Sequence, residues 1–497
     1  MYLGIDLGTS GLKLLLLDAQ HHVHASVDAP LHVQRPHPSW SEQNPADWWQ
    51  ALGSAVAQLR AAAPQAWGQL RAIGLSGQMH GAVVLGAQSQ VLRPAILWND
   101  GRSEAQCQIL EQRVPQSRQI TGNLAMPGFT APKLLWLAAH EPEVFKATAK
   151  VLLPKDWLRL QLTGECVSEM SDASGTLWLD VAQRRWSEPL LAACGLNLSH
   201  MPRLVEGSQP SGVVRPELAA AWGLPQGVVV AGGGGDNAAS AVGVGAALAG
   251  QGFVSLGTSG VVFVVSDTFR PAPELAVHAF AHALPGRWHQ MSVMLSAASA
   301  FGWVTQLTGS GGEAQLAAQV AALSPDRRAA APVFLPYLSG ERTPHNNAQA
   351  SGVFVGLRGE HTAADLGYAV MEGVCFGLMD GWHAMGQTQN SQTSTLASTS
   401  TSATPLALVG GGAQSDAWAQ LLASGLGCPL QRPAAAHAAA ALGAARLAWL
   451  ADGGHEAEVC LPPPTVHTFV PDPAVSAALA PRYARYRGLY PALTPYF

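Results

Sequence analysis

The chain has 497 residues, 48% hydrophobic and only 12% charged, with a formal net charge of -5. A charged fraction about half the usual one excludes bulk disorder and implies elements buried on both faces. Mild acidity, no basic stripe and only five lysines exclude a nucleic-acid binder.

From the N-terminus, an apolar run from Tyr2 to Ile5, a Gly/Ser/Thr turn and a second apolar run from Leu14 to Leu17 predict a hairpin. Pro45 opens a helix predicted over 45–62. Strands follow at 70–75 and 82–85, then helices at 102–113 and 130–140 and a strand at 227–231. From 238 to 266 no charge occurs, a length that admits a membrane span. Six glycines between Gly243 and Gly260 break that stretch into short strands and turns, so no membrane segment is expected. Helices are predicted at 293–307, 362–385, 414–426 and 437–450, and strands at 332–335 and 405–409. Residues 387–404 are rich in Ser and Thr and read as a surface loop between a helix and a strand. This alternation predicts an α/β fold with mixed sheets. No signal peptide is recognisable, and the six cysteines form no Cys-x-x-Cys pair, so a cytoplasmic protein with reduced thiols is expected.

Leu7-Gly8-Thr9-Ser10-Gly11 recurs 249 residues later as Leu256-Gly257-Thr258-Ser259-Gly260, in the same strand–turn–strand setting. Duplication explains this better than chance. Two like domains, 1–245 and 246–497, would then face each other across a cleft between matching turns. Glycine lets backbone amides approach an anion, and the hydroxyls of Thr9, Ser10, Thr258 and Ser259 add donors, so the turns suit a polyphosphate. Lys13 follows the first turn only. It reads either as a phosphate contact or as a solvated strand-end lysine. Asp6 precedes that turn, where a carboxylate beside phosphate needs a cation; Mg²⁺ held through water is the expectation.

Gly232-Gly233-Gly234-Gly235-Asp236-Asn237 follows an apolar strand and precedes small residues. Asp236 is the only acid between Glu217 and Asp267. Such a carboxylate can act as general base toward a hydroxyl. Gly233-x-Gly235-x-x-Ala238 also fits a loose dinucleotide fingerprint, but no acid stands about twenty residues on. Gly410-Gly411-Gly412-Ala413-Gln414 is a strand-to-helix turn open to a flat or anionic ligand. Gln78, Met79 and His80 end one strand, and Asn99 and Asp100 end another; polar groups there can bind sugar hydroxyls. No Gly-Lys pair occurs, so there is no Walker loop. His278 and His282 have the spacing of metal ligands, yet their segment alternates like a strand. A core or surface role is expected for them.

In order along nearly the whole chain, the residues match the FGGY family of carbohydrate kinases. The chain resembles it at Gly4 to Lys13, Gly77 to Gly81, Trp98 to Arg102, Thr121-Gly122-Asn123, Leu153 to Asp156, Ser171 to Thr176, Gly234 to Asn237, Leu256 to Gly260, Pro336 to His345 and Gly410 to Gly412. The resemblance implies two actin-like (ribonuclease H-like) ATPase domains with ATP and a ketose in the interdomain cleft. Gln78-Met79-His80 and Ser339 to His345 are specific to the branch that phosphorylates D-xylulose to D-xylulose 5-phosphate. The resemblance assigns Met79 and His80 to the sugar, with Gln78, Asn99, Asp100 and Asn237 beside them. It makes Asp236 the general base, gives Asp6 the magnesium side, and puts Gly411, Gly412 and Gln414 near the adenosine. Two alternatives stay open: a kinase of another ketose or polyol, and a non-kinase actin-like ATPase, which would need no Gln78, Met79, His80 or Asp236. Monomer and homodimer also both stay open. The sequence departs from the family in its fourth glycine before Asp236, in the alanine-rich segment 434–441, and in the apparent insertion at 387–404.

Overall fold

The computed structural model describes residues 1–387, 404–434 and 438–497. The Ser/Thr-rich loop and residues 435–437 of the alanine-rich segment fall outside the described residues, almost all of the former and the core of the latter.

The N-terminal half supplies β1 (Tyr2–Leu7), β2 (Gly11–Leu17), β3 (Val23–Pro30), β4 (Ala72–Gly77), β5 (Pro210–Val213), β6 (Val229–Ala231) and β7 (Gly234–Gly235). They form one sheet in the order β5-β6-β4-β1-β2-β3, with β7 continuing along β4. The C-terminal half supplies β8 (Gly252–Leu256), β9 (Gly260–Ser266), β10 (His278–Ala281), β11 (Trp288–Met294), β12 (Leu406–Val409), β13 (Leu430–Pro433) and β14 (Thr465–Phe469), in the order β10-β11-β9-β8-β12-β13-β14. The duplication is visible in the strand directions. In the first sheet β3, β2 and β1 are antiparallel and β4 and β6 run parallel to β1. In the second, β11, β9 and β8 repeat the antiparallel part and β12 and β13 the parallel part. Each repeated turn therefore joins the first two strands of its own sheet.

Both sheets are covered on both faces, which explains the low charge fraction. Helix α1 (Pro45–Ala62) buries Trp48, Leu52, Val56 and Leu59 against the first sheet. Asn44 caps it by accepting from the Ala46 amide at 3.1 Å. The uncharged stretch after Asp236 forms helix α2 (Asp236–Gly243), β8 and β9. Among the described residues no helix is long and apolar enough to cross a membrane.

Most predicted elements are present within two residues of their expected bounds. The segment 293–307 is a correction: β11 runs through Met294, and the helix occupies Ala298–Leu307 only. A continuous run of small and apolar residues carries no period that separates strand from helix. Helix α3 (Ala363–Ala384) spans the predicted 362–385.

Helix α4 (Ala439–Ala451) qualifies the division into halves at 245. It lies late in the chain yet packs on β1, β4 and α2 of the first half. The crossing with α2 is backbone to backbone. A Cβ on Gly443 would fall 1.7 Å from the Ala239 carbonyl oxygen, and one on Gly243 would fall 1.9 Å from that of Ala439. Gly4 and Gly74 admit α4 in the same way, against the carbonyl oxygens of Ala441 and Ala444. The alanine-rich sequence is thus explained as far as it is described: small residues let this helix sit on the sheet.

Candidate active site

The first turn is held by side chains distant in sequence. The Thr9 hydroxyl donates to Gln78 Oε1 at 3.2 Å and accepts from Trp98 Nε1 at 2.9 Å. Gln43 Nε2 donates to the Thr9 carbonyl at 2.8 Å, and Gln43 Oε1 accepts from both Gln78 Nε2 and Trp48 Nε1 at 3.0 Å. Gln78 is buried and its amide is committed to this network on both sides. Its position fits a brace for the turn better than the expected sugar contact. Ser10 is exposed, and its hydroxyl has no hydrogen-bond partner among the described residues. Lys13 forms an ion pair with Asp28 on the neighbouring strand at 2.9 Å, which fits the strand-end reading.

Asp6 faces Lys13 across β1 and β2. Its Oδ1 accepts from Ser76 Oγ at 2.9 Å, while Oδ2 has no hydrogen-bond partner among the described residues. Burial raises its pKa, opposed by Ser76 and Lys13.

The glycine run delivers Asp236 to the end of β4. Gly233 has φ +79°, and a Cβ there would fall 2.1 Å from the Leu75 carbonyl oxygen; only glycine fits. Gly234 and Gly235 pair with Ser76 and Gly77, so Asp236 begins α2 beside the strand that leads to Met79. Asp236 Oδ1 accepts from the amide and the side-chain nitrogen of Asn237 at 2.7 and 2.9 Å. Burial and the Asp6 charge together push Asp236 up to about 6, against the pull of Asn237. The two carboxylates thus sense each other across the head of the sheet.

Beneath the loop lies a wholly buried ionic cluster. Lys155 Nζ stands 2.8 Å from Asp156, 3.0 Å from Asp172 and 3.4 Å from Glu169. Arg159 pairs with Asp156 at 3.4 Å and donates to the Gly232 carbonyl at 2.5 Å. The cluster grips the loop at its first glycine. Sequence matching marked Leu153 to Asp156 and Ser171 to Thr176 without assigning them a task.

Met79 and His80 follow just after the end of β4. A Cβ on Gly235 would fall 2.8 Å from Met79 Sδ, so the base loop packs directly on Met79. His80 adopts a left-handed φ of +69°, a costly conformation for a non-glycine residue. Three bonds hold it: Nδ1 to the Gly175 carbonyl at 2.7 Å, and its own carbonyl to Lys133 Nζ at 2.8 Å and Thr130 Oγ1 at 3.1 Å. Burial brings the His80 pKa down to about 3, which keeps the ring neutral. With Nδ1–H bonded to a carbonyl, Nε2 is left as an acceptor. Asn99 Oδ1 is buried with no hydrogen-bond partner among the described residues, as a site that awaits a donor would be. Asp100 is different. Both its oxygens are taken by Arg102, one also by the Ser41 amide at 2.6 Å, and its side chain has no exposed surface. A sugar hydroxyl has no route to it in this arrangement.

The second turn opens on a cavity of about 720 Å³. Gly257 and Thr258 line one side, Gly411, Gly412 and Gln414 another, with Phe301, Met371 and Trp418 as apolar walls. Two motifs about 150 residues apart in the chain therefore share one site. The Gly257 and Thr258 carbonyls accept from the Ala298 and Ala297 amides, and the Thr258 and Ser259 hydroxyls have no partners among the described residues. No group of three or more His, Cys, Asp or Glu side chains able to hold a metal occurs among the described residues. His278 is a buried strand residue bonded to Asn123, and His282 is buried as well.

Residues 1–243 match the N-terminal domain of the FGGY family of carbohydrate kinases, and residues 252–451 match its C-terminal domain. The xylulose kinase of Escherichia coli is 52% identical over all of this chain and 99% of its own length. That of Klebsiella pneumoniae is 51% identical over the same shares. The crystal structure of a xyloylose kinase from Brucella ovis superposes with a TM-score of 0.93 at 48% identity, covering 100% of both chains.

Proposed function

The chain belongs to the FGGY family of carbohydrate kinases, and from that premise we propose that it transfers the γ-phosphoryl group of ATP to D-xylulose, giving D-xylulose 5-phosphate and ADP. The observation that carries the sugar assignment is the likeness, over essentially the whole of both chains, to enzymes named xylulose kinase. A cytoplasmic role in sugar catabolism accords with this reading. A non-kinase ATPase would need no glycine loop that sets a buried carboxylate beside Met79 and His80.

ATP fits the 720 Å³ cavity with its base near Gly411, Gly412 and Gln414 and its phosphates toward Gly257–Ser259. The sugar fits across the cleft beside Met79, His80, Asn99 and Asn237. Asp236 accepts the proton of the terminal hydroxyl as that oxygen bonds to the γ-phosphorus. The bond from phosphorus to the bridging oxygen of ADP breaks, and ADP leaves. A pKa near 6 keeps Asp236 ionised at neutral pH yet more basic than an exposed carboxylate. Backbone amides of both turns, with the Ser10, Thr258 and Ser259 hydroxyls, stabilise charge on the phosphoryl group. The Thr9 hydroxyl instead keeps its turn in shape through Gln78 and Trp98.

The residues present fit Mg²⁺ held mainly by the nucleotide. Asp6 keeps one oxygen free, and its charge and that of Asp236 face the same space. Asp6 would hold Mg²⁺ through water, and the ion would supply positive charge to the phosphates.

The test is ADP formation from Mg-ATP without sugar and with D-xylulose, L-ribulose, glycerol and gluconate in parallel. Strong stimulation by D-xylulose alone is expected. Stimulation by another sugar overturns the substrate and keeps the chemistry. Asp236→Ala is expected to lose at least about 10²-fold in turnover with ATP binding retained; a near-normal rate would remove Asp236 from the mechanism.

A further inference from the structure

The segment Pro336–His345 comes from the second half of the chain and carries an arginine that the mechanism leaves unused. Arg342 is half-buried, and its Nη1 lies 3.3 Å from His278 Nε2. His278 Nδ1 is in turn 3.0 Å from Asn123 Oδ1, contributed by the first half. The His278 ring stacks on Phe280, with centroids 5.4 Å apart, and meets the edge of Phe129 at 5.6 Å. Phe129 also meets His80 edge-on at 4.6 Å. Arg342 thus reaches, from the opposite half, the ring cluster that contains the candidate sugar residue.

Its guanidinium forms no ion pair among the described residues, and the one carboxylate whose charge it feels is that of Glu341. Among the described residues no carboxylate lies within ion-pair distance of the guanidinium, whose recorded side-chain partner is a histidine kept neutral by burial. Glu341 is engaged by backbone instead: its Oε1 accepts from the Leu295 and Arg342 amides, and burial pushes it up to about 8. A guanidinium has five N–H donors in a fixed fork, so most of this one is free for an acceptor. The ring contacts lead from Arg342 to His80. The Arg342 charge helps hold His80 low, whereas the charge that bears on Asp236 is that of Asp6.

We propose that Arg342 binds the non-reacting end of the sugar, donating to the oxygens at C1 and C2, and that its unpaired charge gives this site affinity for five-carbon sugar acids bearing a carboxylate at C1. The inference rests on the proposed kinase reading. It makes Arg342 the element of the ketose pocket supplied by the second half, so the pocket is complete only when the two halves meet.

The experiment uses the full chain, with Arg342→Gln and Arg342→Lys. ADP formation is measured against D-xylulose and ATP, with D-xylonate as inhibitor, and direct D-xylonate binding is followed by calorimetry. D-xylonate is expected to compete with D-xylulose in the parent protein. In Arg342→Gln the KM for D-xylulose rises about 10-fold, the scale of a lost charged hydrogen bond, while kcat stays within a few-fold and the KM for ATP is unchanged. D-xylonate binding falls further than D-xylulose affinity does. Arg342→Lys keeps the charge but not the fork, so it retains part of the D-xylonate binding and controls for folding. An unchanged KM for D-xylulose with unchanged D-xylonate binding in Arg342→Gln overturns the proposal, as does a rise confined to the KM for ATP. If D-xylulose fails to stimulate the parent protein, the kinase reading fails; D-xylonate binding that Arg342→Gln abolishes would then still support the arginine's role.

Discussion

The Gly235 amide donates to the Ser171 hydroxyl at 3.0 Å, directly ahead of the candidate base. That hydroxyl in turn donates to Glu169 Oε2 at 2.8 Å, and Glu169 belongs to the buried cluster around Lys155. The loop that aims Asp236 is therefore fastened at both ends, by Arg159 at Gly232 and by Ser171 at Gly235.

Ser171→Ala tests this fastening. It leaves a buried N–H without a partner, at a cost of about 1–3 kcal/mol. Turnover is expected to fall roughly 10-fold by misplacement of the base, with the KM for ATP unchanged and an altered acid limb in the pH profile. Steady-state kinetics across pH provide the check. A uniform loss of active protein with unchanged KM and pH profile would mean that Ser171 is only structural.

The pH profile has a predictable sign. Asp236 must be ionised to take a proton, so kcat/KM for the sugar should fall tenfold per pH unit below about 6. Asp6→Asn removes a neighbouring charge that raises this pKa, so the limb in the residual activity should move toward acid. The same raised pKa means that the folded state holds this proton more tightly than the unfolded chain. The stability it confers is present in acid and lost as pH rises through about 6. Asp236→Asn should consequently be inactive and, at pH 7, more stable by about 1 kcal/mol. Thermal melting at pH 5 and pH 7 reads this directly.

The α2–α4 crossing predicts a fold defect distant from the chemistry. Gly443→Val would drive its side chain into the Ala239 backbone, with no flexible side chain in the way to yield. A loss of at least about 3 kcal/mol is expected, in the range of severe overpacking. Denaturant unfolding checks it. A midpoint equal to that of the parent protein would show that the helices are free to separate.

Gly411→Val is the counterpart in the nucleotide cavity. A Cβ there meets nothing within 4 Å, because it points into open space beside the second turn. Stability should stay within about 0.5 kcal/mol. The KM for ATP should rise roughly 10-fold as the added side chain fills the cavity, while the KM for sugar stays near its parent value. Equal changes in both would move the adenosine elsewhere.

The sequence alone determined the hairpins, their repetition at half-length, the base loop and the glycine turn after β12. Each of these is a local pattern: apolar runs fix the strands, and glycines fix where backbone must turn or approach a ligand. The tertiary structure decided which polar groups remain available. Gln78 and Thr9 carry the types suited to bind ligands, yet Gln43 and Trp98, distant in the chain, reach them first. Asp100 is likewise consumed by Arg102, whereas Asn99 beside it keeps an unpaired oxygen. Gln43 carried no sequence signal at all, and Arg342 only the motif around it. A side chain's chemistry states what it can bond to. Only folding, which brings distant residues within about 3 Å, decides which partner takes each donor and acceptor and which are left over for a substrate.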